Sequence, residues 1–179
     1  VRFFILSDSP PDKDIQWSNQ GVNSANKFLQ KVWSISDVLV KRKDPAVEKK
    51  DELELNKEIN KYVNNVTNLI NDFQFNVVIA NIYEMYRLIS SSMQKKISNN
   101  CIKNNYINFL KILNPISPHI TSECLEKLSE KTISSWPKID KSLIEKIEIK
   151  LPIQINGKTR AVIEISKDQN EKEIMNLII

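Results

Sequence analysis

The sequence predicts a mainly α chain, an antiparallel helical bundle followed by a truncated small α/β unit, and two observations carry that prediction. Between residues 20 and 130 apolar side chains recur at three-and-four spacing, and the whole chain of 179 residues holds only 2 glycines. After Ile147 the apolar period shortens from about 3.6 to about 2 residues, and the reversal Asn156-Gly157 follows.

Val1-Arg2-Phe3-Phe4-Ile5-Leu6 forms a first apolar element, stopped at Ser7-Asp8-Ser9-Pro10-Pro11-Asp12, where two prolines remove amide donors and force an extended turn. A first long helix carries Val22, Ala25, Leu29, Val32, Trp33, Leu39 and Val40 on one stripe, with Ser18 placed to cap its start. A second carries Leu55, Ile59, Tyr62, Val63, Val66, Leu69, Ile70 and Phe73. A third, with Phe75, Val78, Ile79, Ile82, Tyr83, Tyr86, Ile89, Met93 and Ile97, follows almost without a gap. The fourth (Ile102, Tyr106, Phe109, Leu110, Leu113) is ended by Pro115, and Pro118 starts a fifth carrying Leu125 and Leu128. Trp136-Pro137 marks the exit, so residues 18–137 read as the bundle and residues 1–17 as a connector into it.

Residues 147–179 read as a separate small unit. Ile147, Ile149, Leu151, Ile153 and Ile155 fall on one face of a strand, and Asn156-Gly157 supplies the two positive-φ positions of a type I′ turn. Lys158 and Arg160, two apart on the return strand, are expected on the same face, either as solvated charges or as cations for a phosphate backbone. Asn170-Glu171-Lys172-Glu173 reads as a capped helix start leading to Ile174, Leu177 and Ile178. A hairpin and a few helical residues cannot bury a core alone, so the unit reads as cut short and the chain as part of something longer.

Composition excludes several classes. No apolar stretch approaches the roughly 20 residues that a membrane-spanning helix needs, the opening is too short for a signal sequence, and cytoplasmic residence is expected. Cys101 and Cys124 lack neighbours at ligand spacing, which argues against a disulfide framework and a zinc site and favours small buried hydrophobes. With 1 histidine and no Gly-rich loop there is no nucleotide site of the usual kinds and no cofactor is expected in this segment. His119 and Cys124 are turned about 140° apart on a helix, so they make no nucleophile pair, and no catalytic or metal-binding residue is assigned. The net charge of +4 is modest, but Lys clusters at Lys41-Arg42-Lys43, Lys49-Lys50 and Lys95-Lys96. Such runs are commonly solvated helix ends, and a bias toward Asn, Lys and Ile throughout lowers the information in each. Trp17, Trp33 and Trp136 read as core anchors.

Three separated segments resemble one family. Val1-Arg2-Phe3-Phe4-Ile5-Leu6-Ser7-Asp8-Ser9-Pro10-Pro11, with Ile15-Gln16-Trp17-Ser18, Gly21-Val22 and Asn26-Lys27-Phe28-Leu29-Gln30-Lys31-Val32-Trp33, resembles the passage of bacterial-type leucyl-tRNA synthetases from the catalytic core into the helical anticodon-binding domain. Leu113-Asn114-Pro115-Ile116-Ser117-Pro118-His119-Ile120-Thr121, followed by Trp136-Pro137, is similar to the end of that bundle. Gln154-Ile155-Asn156-Gly157-Lys158-Thr159-Arg160 resembles the hairpin opening the family's C-terminal domain. The matches keep the family's order across the chain. Sister enzymes for valine, isoleucine and methionine share the bundle, but the hairpin combined with Ser-Pro-Pro and Trp17 favours leucine.

The resemblance implies an intact class I leucine-tRNA ligase that forms leucyl-adenylate from leucine and ATP with Mg and passes leucine to the tRNA 3′ end. None of that chemistry, nor the editing hydrolysis, is expected in this segment, and Met93-Gln94-Lys95-Lys96-Ile97-Ser98 reads as a helical surface run rather than the mobile signature loop. The implied partners are leucine tRNA and the remainder of the synthetase, with no membrane. By resemblance Lys27 and Lys31, one turn apart, stand where relatives carry tRNA-contacting Arg. Lys57 and Lys61, beside Asn56, stand where others carry a basic cluster, and Lys158 and Arg160 join them as RNA-contact candidates. Lys keeps the charge of Arg but loses its bidentate geometry. The rival reading is a helical protein-interaction module whose exposed stripe packs on another domain or subunit.

Overall fold

Ser18 starts the first long helix as a capping serine should, its hydroxyl accepting the Gly21 amide at 3.1 Å. The computed structural model describes residues 1–130, 135–144, 148–155 and 158–166. They form α1 (Arg2–Asp8), α2 (Asn19–Lys41), α3 (Lys49–Asn71), α4 (Phe75–Ser92), α5 (Asn99–Leu113), α6 (Pro118–Lys127), α7 (Lys141–Ile144), β1 (Glu148–Ile155) and β2 (Lys158–Ser166). Two compact units result, Val1–Ile139 and Asp140–Ile179.

In the first unit the helices pack as a bundle, with longer connections at residues 9–18 and 42–48 and short turns after α3 and α5. α3 lies on α4 and α5, α1 on α4 and α2, and α6 on α5 and α2. Ser98 caps α5 by accepting the Cys101 amide at 3.2 Å, and Pro118 occupies the first turn of α6, where its missing N–H costs nothing. The buried set runs through every long helix: Val32 and Leu39, Ile59 and Val66, Ile82 and Ile89, Tyr106 and Leu110, Leu125. α1 belongs to this core, because Phe3 stacks on Phe28 with ring centroids 5.2 Å apart and meets the edge of Tyr83 at 5.7 Å. Gly21 lets Phe4, the neighbouring ring of α1, press on α2, since a Cβ there would sit 2.4 Å from the Phe4 ring.

Several expected positions move. The buried face of α2 runs through Ala25, Phe28, Val32, Ile35 and Leu39, whereas Val40 is 60% exposed, because the stripe read from sequence drifted one position and missed Phe28 and Ile35. Phe73 is not part of α3's stripe: the helix ends at Asn71, and Phe73 occupies the turn at φ 56° with 66% of its surface exposed. Residues 93–98 are not a helical surface run. α4 ends at Ser92, Met93 is its C-cap, and the segment is a turn that buries Ile97 completely.

In the second unit β1 and β2 pair antiparallel, with Ile155 opposite Lys158 as a two-residue reversal requires. The reversal itself, Asn156-Gly157, lies outside the described residues, as does the helix start expected at Asn170.

Candidate nucleic-acid interface

Lys27 and Lys31 are both exposed on α2, turned about 140° and 100° from fully buried Val32 on the same flank, so they project together one turn apart. Among the described residues neither has an ion-pair partner. Lys57 and Lys61 stand two residues either side of fully buried Ile59, about 160° round the helix from it, yet both are half-buried, unlike Lys27 and Lys31. Lys61 is bound to Glu58 at 2.6 Å, which partly cancels its charge, while Lys57 has no such partner among the described residues. Asn56 faces inward instead, its Oδ1 accepting the Asn105 amide at 2.6 Å, so it ties α3 to α5 and adds nothing outside.

The two lysine pairs do not form one cluster. α3 packs on α4 and α5, whereas α2 reaches those helices from elsewhere, through Phe28 against Tyr83 and Tyr86 and through the Tyr106 hydroxyl donating to Val32 O at 2.5 Å. α4 and α5 therefore lie between them.

The bundle does bring together the three basic runs. Arg42, just past α2, donates to Ile97 O at 2.9 Å, Asn99 Oδ1 at 2.6 Å and Lys95 O at 3.1 Å, clasping the α4–α5 turn. Asn99 returns a bond from Nδ2 to Arg42 O. The Glu48 amide donates to Lys96 O at 2.8 Å, and the Lys96 ammonium binds the Glu48 carboxylate at 2.8 Å. That hydrogen bond, reinforced by the charge of Lys96, holds the Glu48 carboxyl below its ordinary value. Glu52 accepts both the amide of Ser98 at 3.0 Å and its hydroxyl at 2.5 Å, and Asp44 accepts the Asn99 amide at 2.6 Å. One end of the bundle thus carries Lys41-Arg42-Lys43, Lys49-Lys50 and Lys95-Lys96 side by side. The available signal was their position at the ends of successive antiparallel helices, which a linear reading of charge runs does not weigh.

Other candidates resolve as structural. Trp17, 59% exposed, lies edge-on to Phe4 and donates to Asn19; Trp33 and Trp136 are each 36% exposed. None is a core anchor: Trp33 carries the Lys127 ammonium 4.4 Å from its ring centre, and Trp136 donates to the Thr67 hydroxyl at 2.9 Å. Trp17 and Trp136 fix the segments before α2 and after α6 through one polar atom, and Trp33 joins α2 to the end of α6 through one face. Cys124 is buried while His119 is exposed, which separates them. Burial pushes the thiols of both Cys124 and half-buried Cys101 upward, away from thiolate chemistry. A cavity of about 370 Å³ beside Trp136 is lined by Leu6, Ile70, Phe75, Val78 and Ile112, an apolar wall without converging ionisable groups. Among the described residues no group of three or more His, Cys, Asp or Glu is placed to hold a metal ion, and no helix is long and apolar enough to cross a membrane.

On the hairpin the pairing steps from Gln154 opposite Thr159 to Ile153 opposite Ala161, so β2 accommodates one extra residue at Arg160. Unbroken alternation was the basis for placing Lys158 and Arg160 on one face, and a bulge at Arg160 removes that basis.

Residues 52–175 match the family model of the anticodon-binding domain of tRNA ligase. The chain is similar to the leucine–tRNA ligase of Rickettsia bellii, 33% identical over 183 residues, covering 100% of this chain and 22% of that protein. It is also similar to the leucine–tRNA ligase of Bartonella tribocorum, 32% identical over 191 residues with 100% and 22% covered. The chain thus spans about a fifth of the length of these curated relatives. A crystal structure of an Agrobacterium radiobacter K84 LeuRS, in a ternary complex with tRNA and LeuAMS, matches with a TM-score of 0.78 at 23% identity, covering 99% of this chain and 24% of that one. That likeness bears on the fold.

Proposed function

Because this chain belongs to the family of anticodon-binding domains of tRNA ligases, we propose that it holds leucine tRNA for a leucyl-tRNA synthetase whose chemistry lies in other parts of the enzyme. The relatives it resembles along its whole length are leucine–tRNA ligases. On this reading the intact protein is a class I ligase of translation, working in the cytoplasm with leucine, ATP and Mg. Among the described residues no group of three or more His, Cys, Asp or Glu is placed to hold a metal ion. No step of adenylate formation is assigned to them.

The observation that carries the reading is Lys27 with Lys31: two exposed cations without ion-pair partners among the described residues, one turn apart on a rigid helix. Such a pair neutralises phosphates and fixes orientation without reading bases, which suits recognition of a folded RNA by shape. Lys57 and Lys158 are further phosphate contacts in this reading, Lys61 a weakened one because of Glu58, and Arg160 one whose aim depends on the bulge.

The test is Lys27→Glu with Lys31→Glu in the full-length synthetase. Binding of leucine tRNA should weaken, and the slope of log affinity against log salt should flatten by roughly one to two, about 0.9 for each phosphate that is no longer neutralised. Unchanged affinity and slope, with the helical signal intact, would reject the assignment.

A further inference from the structure

We propose that the clasped end of the bundle, where the C-terminus of α2, the start of α3 and the α4–α5 turn meet, is a second RNA-phosphate surface, separate from Lys27 and Lys31. The proposal rests on the RNA-binding reading above and goes beyond it in naming a surface that the resemblance did not mark. Five lysines form it: Lys41, Lys43, Lys49, Lys50 and Lys95. All are exposed, and none has an ion-pair partner among the described residues.

The argument lies in how the other charges at this end are occupied. Asp44 accepts a backbone amide of α5 and Glu52 accepts the amide and hydroxyl of Ser98. Glu48 pairs with Lys96, with Asp51 close enough to act on Lys96 as well. Arg42 is committed to two carbonyls and Asn99. Asp44, Glu48 and Glu52 are thereby engaged in holding three segments together, and the five lysines stand exposed on all three. Lys49 and Lys50 stand in the first turn of α3 together with Asp51 and Glu52, whose carboxylates answer the helix dipole there, so the two lysines are not needed by the helix itself. Lys side chains, unlike Arg forks, act as point charges and tolerate the varied spacing of a folded RNA backbone.

The experiment uses the full-length synthetase that carries this chain and purified bulk tRNA, with affinity measured across a salt series. Lys43→Glu, Lys49→Glu and Lys95→Glu take one lysine from each segment, and the matching Gln triple provides a milder variant. The Glu triple should raise Kd at least tenfold at low salt and reduce the salt slope by about two to three, with the Gln triple in between. The slope reduction should add to that of Lys27→Glu with Lys31→Glu. If tRNA binds the unaltered enzyme and the Glu triple equally while the Lys27/Lys31 variant binds poorly, this surface is overturned and the broader reading stands. If the Lys27/Lys31 variant and the Glu triple both bind tRNA as the unaltered enzyme does, the broader reading fails first. Loss by the Glu triple of binding to phosphatidylserine vesicles, with tRNA affinity unchanged, would overturn the proposal in favour of a membrane surface.

Discussion

Replacing Arg42 by Lys separates the charge of this side chain from its geometry. The guanidinium donates to Ile97 O at 2.9 Å and Asn99 Oδ1 at 2.6 Å, both part-buried, and to Lys95 O at 3.1 Å in the open. Bonds to a charged group contribute about 1.5–3 kcal/mol each when shielded, and less where water competes. Lysine keeps the charge and can restore one of the three from a single nitrogen, but not the fork. The expected destabilisation is therefore about 1–2 kcal/mol, after discounting the exposed bond and the one regained. In a chain of this size that corresponds to a fall in Tm of about 2–8 °C. Urea unfolding followed by helical ellipticity should show a lower midpoint with an unchanged slope, while Lys41→Ala next door should stay within about 0.5 kcal/mol. A stability of Arg42→Lys equal to that of the unaltered chain would refute the clasp as the element joining α2 to the α4–α5 turn.

Two further outcomes follow from local geometry. Gly21→Ala should destabilise by about 1–3 kcal/mol, because the added Cβ meets the buried Phe4 ring at 2.4 Å; an unchanged urea midpoint would show that the ring yields freely. Glu48→Gln should narrow a pH-dependent difference: the folded carboxyl lies below its ordinary 4.5 through the Lys96 hydrogen bond and charge, so its contribution is present above that value and fades as acid protonates it. The gap in urea midpoint between the unaltered chain and the variant should close as pH falls below 4.5, and a gap that persists in acid would contradict this pairing.

What could be read from the sequence divides by the range of the interactions concerned. Helix ends marked by local chemistry were legible: Ser18 caps α2, Pro118 opens α6, and the period change after Ile147 marks the hairpin. Apolar phase was less secure where both faces of a helix carry hydrophobes, so Val40 entered α2's stripe in place of Ile35. Fully buried Ile97 extended a helical pattern through a segment that turns, because burial and helicity give the same apolar signal. Lys27, Lys31, Lys57 and Lys61 were found by resemblance, and Glu58 three residues before Lys61 already allowed their pairing, yet the sequence could not show that Asn56 turns toward α5. The bulge at Arg160 was equally hidden, since an even alternation of residues gives no sign of the extra one.

The clasp assigns arginine and lysine to different tasks within a few residues of one another. Arg42 directs its planar fork inward, where three acceptors from one turn demand fixed angles, and Lys41 and Lys43 flank it with exposed ammonium groups that have no ion-pair partner among the described residues. Directional donors suit a protein interior that does not change, whereas mobile point charges suit an outer partner whose phosphates vary in position. A surface selected to read base edges would need the opposite arrangement, with rigid forks or amides pointing outward. On the proposed reading, the bundle therefore contributes to affinity and placement through shape, and replacing Lys43 by Arg should strengthen RNA binding at most modestly without adding discrimination between tRNAs.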